Sequence, residues 1–224
     1  MSTFIKSITL IIAGTIIFSG CSHSIISSKY ENFDFDNHKL LLFQIMSKGI
    51  TINNKEKTSE SSVGNIEYSS KIISDSLYKY ISEIATRREK NIKSISQNDL
   101  SKIHSLEDTS KYITRLYVDE KSFKHIYYLP AISIIDSLND KYRFVLVVNK
   151  LSVGIELLGQ GVHSSYCLVP YFEYVIWDYL NNELVLQGNR SFTISSQAFK
   201  IDKNTWQQLF QSVSIQILND LPFE

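Results

Sequence analysis

Residues 141–159, KYRFVLVVNKLSVGIELLG, constrain the fold more than any other stretch. The run is β-branched and apolar without strict alternation. The strand it forms must therefore be buried on both faces, inside a sheet. A second strand-like run, YCLVPYFEYVIWDYL, follows at 166–180. Pro170 has no N–H to donate, so the first part of this run is expected to be irregular or at an edge. Asn181 and Asn182 tolerate positive φ, which predicts a tight hairpin turn, and ELVLQGNRSFTIS at 183–195 is the return strand. Strict alternation would put Leu184, Leu186, Phe192 and Ile194 on one face.

The first half reads differently. Residues 39–46 of HKLLLFQIMSKGITIN form a strand that continues, or turns back, to Asn53. Then Ile66, Ile73, Leu77, Tyr80, Ile81 and Ile84 recur at helical spacing, which predicts a long helix over 65–89. The cations of ATRREKN suit its negative C-terminal end. LEDTSKYITRLYV, at 106–118, has acids early and a cation late and reads as a second helix. Pro130 opens PAISIIDSL, a short helix at about 130–138. The last helix spans 204–219, with Asn204 as cap, Gln207 three residues on, and Trp206, Leu209, Phe210, Val213 and Ile217 on one face. Helices and meander are segregated, an α+β pattern. The expected architecture is an antiparallel sheet of about four strands packed on the long helix and the C-terminal helix, as one domain over 39–224.

The N-terminus carries one charge, Lys6, before the apolar run Ile8–Phe18. That is the form of a secretory signal over residues 1–20, and its apolar run is short of the roughly 20 residues a bilayer span needs. Phe18-Ser19-Gly20-Cys21 resembles the bacterial lipobox, with phenylalanine where leucine is usual. The resemblance implies a lipid on Cys21, which would become residue one of the mature chain. The serine-rich stretch 21–38 reads as a lipidated tether, its end able to pack through Phe33 and Phe35. Ser22 is not an acidic retention signal, so outer-membrane sorting, facing the periplasm, is expected in a two-membrane bacterium.

Lysine plus arginine and aspartate plus glutamate each number 23; without Lys6 the mature chain carries 22 basic and 23 acidic residues, a net charge of −1. A nucleic-acid binder needs a basic stripe, so nucleic acid is not an expected partner. With Cys21 acylated, Cys167 has no second cysteine to pair with. In an apolar run it reads as a buried small hydrophobe.

FEYVIWDYLNNELVLQGNRSFTIS, with the helix NTWQQLFQSVSIQILNDLP behind it, is similar to envelope proteins of three kinds. These are the N-terminal half of the curli secretion lipoprotein, the N-terminal domain of the Tol–Pal translocation protein, and auxiliary lipoproteins of ABC-transport systems. Asp178, the Asn181-Asn182 turn and Gly188 match their hairpin; Leu186 stands where tryptophan is common. The resemblance implies a non-catalytic docking or assembly role.

The residues themselves offer little chemistry. His23, His38, His104, His125 and His163 have no metal-ligand spacing, and no G-x-S-x-G elbow or phosphate loop occurs. His163, Ser164, Ser165 and Cys167 lie close in sequence, but a Cys–His pair also needs an orienting third group. Arg190 could pair with Glu173 or Asp178 across the hairpin. No catalytic, cofactor or metal site is expected. Tyr166, Tyr171, Phe172, Tyr174, Trp177 and Tyr179 exceed what one face of a small sheet buries. Tyr171, Tyr174, Trp177 and Tyr179 are therefore a candidate binding surface for an envelope protein partner. The alternative is that a second layer, such as FKHIYYLP, covers them. Three functions stay open: a lipid-anchored protein-binding component, a small-ligand or lipid-binding lipoprotein, and a hydrolase without a recognisable motif.

Overall fold

The computed structural model describes residues 23–43, 49–54, 70–94, 112–118, 124–131, 135–136, 142–158, 165–195 and 201–223. In chain order the elements are β1 His23–Ile26, a 3-10 turn Ser28–Tyr30, β2 Leu40–Phe43, β3 Ile50–Asn54, α1 Ser70–Arg87 and β4 Ile92–Ser94. Then come β5 Tyr112–Val118, β6 Lys124–Pro130, β7 Phe144–Leu158, β8 Ser165–Asp178, β9 Glu183–Ser191, β10 Ile194–Ser195 and α2 Lys203–Asp220.

The α+β class holds, but the sheet is larger than expected and mixed. Eight strands run in the order β1-β9-β8-β7-β2-β4, with β3 also on β7 and β10 also on β8. β2 and β3 both lie parallel to β7, and β4 lies parallel to β2. β2 and β3 thus run in the same direction, so β3 is not a return strand; residues 44–48 lie outside the described residues. Parallel pairing has no local turn signal; Leu40 meets Phe144 across a hundred intervening residues.

β7 is buried on both faces over its first half, Phe144–Asn149. Beyond it one face stays buried as far as Ile155, while Lys150 and Leu157 are exposed and Ser152, Gly154 and Glu156 are half-exposed. On one face Phe144, Leu146, Val148, Leu151 and Val153 join α1 and α2 in the main core. On the other, Val145 and Val147 join Trp177, Leu184, Tyr127 and Leu129 in a second core. The β5–β6 hairpin supplies that second layer. Residues 112–118 are therefore strand, not helix: Tyr112 pairs with Pro130 and Val118 with Lys124. Their aromatic and β-branched side chains suit a strand, and the acids that suggested a helix start lie outside the described residues. Pro130 ends β6; residues 135 and 136 are helical, with Ile135 N–H donating to Ala131 O at 3.4 Å. The rest of that expected helix lies outside the described residues.

Two more local readings change. Ile176 faces Leu186 and Trp177 faces Leu184, so Val185 is an extra residue, a β-bulge. The bulge puts Leu184 in the second core and leaves Val185, Leu186, Phe192 and Ile194 in the first. The cap of α2 is Asp202, not Asn204: its Oδ1 accepts from Thr205 N at 2.8 Å and Thr205 Oγ1 at 2.7 Å. Of the apolar face read for the long helix, Ile73, Leu77, Ile81 and Ile84 are in the core, Tyr80 is partly buried against it, and Ile66 lies outside the described residues. Trp206, Leu209, Phe210, Val213 and Ile217 of α2 all bury.

Pro170 sits opposite Val153 of β7. On its other side the ladder is interrupted, since the pairing with β9 ends at Tyr171, opposite Ser191, and that with β10 begins at Leu168, opposite Ile194.

Candidate functional site

The stretch expected to be a free tether is seated on the domain from His23 onward. β1 adds to β9, with His23 opposite Asn189 and Ile26 opposite Leu186. Ser27 N–H then donates to Val185 O at 2.9 Å. Tyr30 is 2% exposed, and Phe35 is buried against Phe144 and Phe223.

A polar joint holds this segment. Asp178 is fully buried at the end of β8. Its Oδ1 accepts Leu180 N–H at 2.9 Å and Asn181 N–H at 3.2 Å, so it organises the β8–β9 turn. Its Oδ2 accepts Tyr30 OH at 2.8 Å, Asn181 Nδ2 at 2.9 Å, and Arg143 Nε and Nη2 at 2.9 and 2.7 Å. Asn182 completes the turn at φ 55. The Arg143 guanidinium lies 4.8 Å from the Phe33 ring and 4.9 Å from the Phe144 ring. Burial alone would raise the Asp178 pKa, but Arg143, Tyr30 and Asn181 outweigh it and hold the carboxyl below its usual range. Burial is the main reason that the Tyr30 hydroxyl is pushed up to about 12. The carboxylate is saturated with donors and is poorly suited to act as a base; the joint is structural.

A second joint ties the sheet to α2. Arg190 pairs with Asp220, through Nε at 2.9 Å and through Nη2, rather than with Glu173 or Asp178. Phe172 lies opposite Arg190, on the face toward the helices, so the guanidinium meets the end of α2. Tyr174 OH donates to the same Asp220 carboxylate. The Tyr174 ring lies over Gly188, its cross-strand neighbour.

The aromatic surface does not form. Tyr174 is 0% exposed in the main core and Trp177 is 5% exposed under the β5–β6 layer. Tyr179 is half-buried and donates to Pro130 O at 2.6 Å, which fastens that layer. The alternative cover, FKHIYYLP, is the layer observed. Of the four candidates only Tyr171 stays beside open polar surface. Its hydroxyl donates to Glu173 at 2.6 Å, with Lys150 Nζ 5.1 Å from its ring and 3.9 Å from Glu173. The signal that could have found this burial was the aromatic run at 124–130, which matches β8 in character.

Cys21 lies outside the described residues, as do His163 and Ser164. Cys167 is free and buried, and burial, with Glu156 nearby, raises its thiol pKa. A protonated buried thiol is a poor nucleophile. Among the described residues no group of three His, Cys, Asp or Glu could hold a metal ion, and no helix is long and apolar enough to cross a membrane. A depression of about 440 Å³ at the start of α2 is lined by Tyr80, Asp202, Asn204, Thr205, Gln207, Gln208 and Gln211. That polar lining does not suit a lipid tail.

No family model and no curated protein matches the chain. Several solved structures are similar to it. One is the PelC dodecamer from Paraburkholderia phytofirmans, at 12% identity and TM-score 0.37, covering 90% of this chain and 97% of that one. Another is a minor lipoprotein from Acinetobacter baumannii, at 14% identity and TM-score 0.35, covering 84% and 98%. A third is the lipoprotein GNA1162 from Neisseria meningitidis, at 10% identity and TM-score 0.34, covering 81% and 99%. At these identities and scores, nothing of their function transfers to this chain.

Proposed function

We propose that this protein is a lipid-anchored component of the bacterial envelope, held by acyl chains on Cys21 and binding a protein partner in an assembly or transport system. The observation that carries this reading is the Phe18-Ser19-Gly20-Cys21 motif after a short apolar run. The first described element, β1, starts two residues after Cys21. One acyl chain binds a membrane marginally, and two or three hold firmly. A non-catalytic role is favoured because two inward-facing carboxylates among the described residues are committed to structure: Asp178 to the turn and Arg143, Asp220 to Arg190 and Tyr174. The lipid-binding alternative has less support, since the space between sheet and helices is filled by side chains such as Phe172, Leu209 and Phe210.

The test is metabolic labelling with a palmitate analogue in a bacterial host, beside membrane fractionation. The native chain should label and sediment with outer membranes, and Cys21→Ala should do neither. A Cys21→Ala chain that still sediments with membranes would sink the anchor. Crosslinking in native membranes, followed by pulldown, should capture the same protein repeatedly.

A further inference from the structure

Resting on lipid attachment at Cys21, we infer that the β1–β10 edge of the sheet lies against the bilayer headgroups, with the β3 edge turned away. The argument is one of reach. Cys21 is two residues from His23, so its Cα lies within about 7 Å of the start of β1. A 17-residue tether would have allowed about 55–60 Å and any orientation. The structure removes that freedom by pairing His23 with Asn189.

The register says what lies within reach. His23 stands at the level of Glu173 on β8 and Lys150 on β7. Because β1 is antiparallel to β9, the chain before His23 enters from the side of Arg190 and Ser191, the side on which β10 follows. β10 flanks β8 at Leu168, five residues past Glu173, which is about 16 Å along the strands. β9 and β10 flank β8 on the same side, so β10 stands only about 5 Å sideways from the track of β1.

Three other poses fail. With the β8–β9 turn toward the membrane, Cys21 would have to travel about 16 Å back along β1, more than twice its reach. The β3 edge lies four strand spacings from β1, about 19 Å, also out of reach. With the strands upright and the far end of the β7–β8 hairpin down, the Leu157–Tyr166 rung lies about 23 Å beyond His23. That would drive Glu156 and a strand edge into hydrocarbon, where unpaired backbone and charge are not tolerated. The strands must therefore recline, with β1 and β10 together on the surface. The side chains there suit headgroups: Ser24, Thr193, Ser195, Lys203 and Asn204 are exposed. They can hydrogen-bond to phosphates and glycerols without entering the acyl layer.

The test uses the mature, lipidated full chain in vesicles of phosphatidylethanolamine and phosphatidylglycerol doped with a nickel-chelating lipid. Spin labels go on Thr193→Cys or, separately, Thr51→Cys; both positions are exposed, and native Cys167 is buried and stands opposite Ser195, not Thr193. Nickel should enhance relaxation several-fold more at 193 than at 51. Equal or reversed enhancement in vesicle-bound protein would overturn the orientation and leave the anchor standing. Protein that stays in the supernatant would overturn both. A long flexible Gly–Ser insertion between Ser22 and His23 should keep vesicle binding and erase the contrast; a contrast that survives it would refute the argument from chain length.

Discussion

Gly188→Ala is a substitution that sequence alone would rank as harmless or helpful. The backbone of Gly188 is not left-handed, and alanine normally stabilises such a position by about 0.4–1 kcal/mol through the unfolded state. The structure predicts the opposite. A Cβ on Gly188 would stand 2.6 Å from Tyr174 Cε1, and nearer still to Cζ and the hydroxyl oxygen. Comfortable carbon contact is about 3.5–4.0 Å, so the ring must move by about 1 Å or more. It has nowhere to go: Tyr174 is 0% exposed, stacks beside Phe172, and donates to Asp220. Overpacking of this kind costs about 1–3 kcal/mol. Displacing a hydroxyl from a charged acceptor adds about 1.5–3 kcal/mol. Set against the entropic gain, the net loss should be about 1.5–5.5 kcal/mol. Urea unfolding of Gly188→Ala, Tyr174→Ala and the double variant forms a mutant cycle. Gly188→Ala should be costly in the native background and nearly free once Tyr174 is alanine. A neutral single substitution, or additive effects, would refute the steric argument.

Other expectations can be tested in the same way. Asp178→Asn should cost about 3 kcal/mol at neutral pH, because it leaves the Arg143 guanidinium unpaired. The folded Asp178 carboxyl titrates below the unfolded value of about 3.9, so its contribution is intact above that pH and fades as pH falls through the folded value. Acid titration of stability should therefore be shallower in Asp178→Asn than in the native chain, and identical slopes would exclude the linkage. Trp206→Ala, which empties a 3% exposed position under α2, should cost about 3–5 kcal/mol; a near-unchanged melting temperature would contradict its place in the core.

The seating of residues 23–35 bears on the proposed anchor. A lipid on a long tether would leave a domain free to face anywhere. A lipid on Cys21, two residues from a paired strand, would impose an orientation, and the Tyr30–Asp178–Arg143 joint fastens the segment at its other end.

What the sequence determined alone was local. The continuous apolar character of 144–158 implied a strand covered on both faces, and its first half has a core on each, while the second half has a core on one face only and is open at Lys150 and Leu157. Asn181-Asn182 marked the hairpin turn. The periodic stripes of α1 and α2 named their buried faces. These features depend on neighbours within a turn or a hairpin, where residue type and spacing act directly on the backbone. Tertiary structure decided the rest. Whether 112–118 was helix or strand depended on pairing with 124–130. Whether Tyr174 and Trp177 were surface or core depended on which elements covered β8. Leu184 and Leu186 parted because a bulge at Val185 broke an alternation that no residue type announces. The seating of the N-terminal stretch rested on His23 meeting Asn189. Such contacts bring together residues up to 166 positions apart, and their energy appears only when the intervening chain has folded between them.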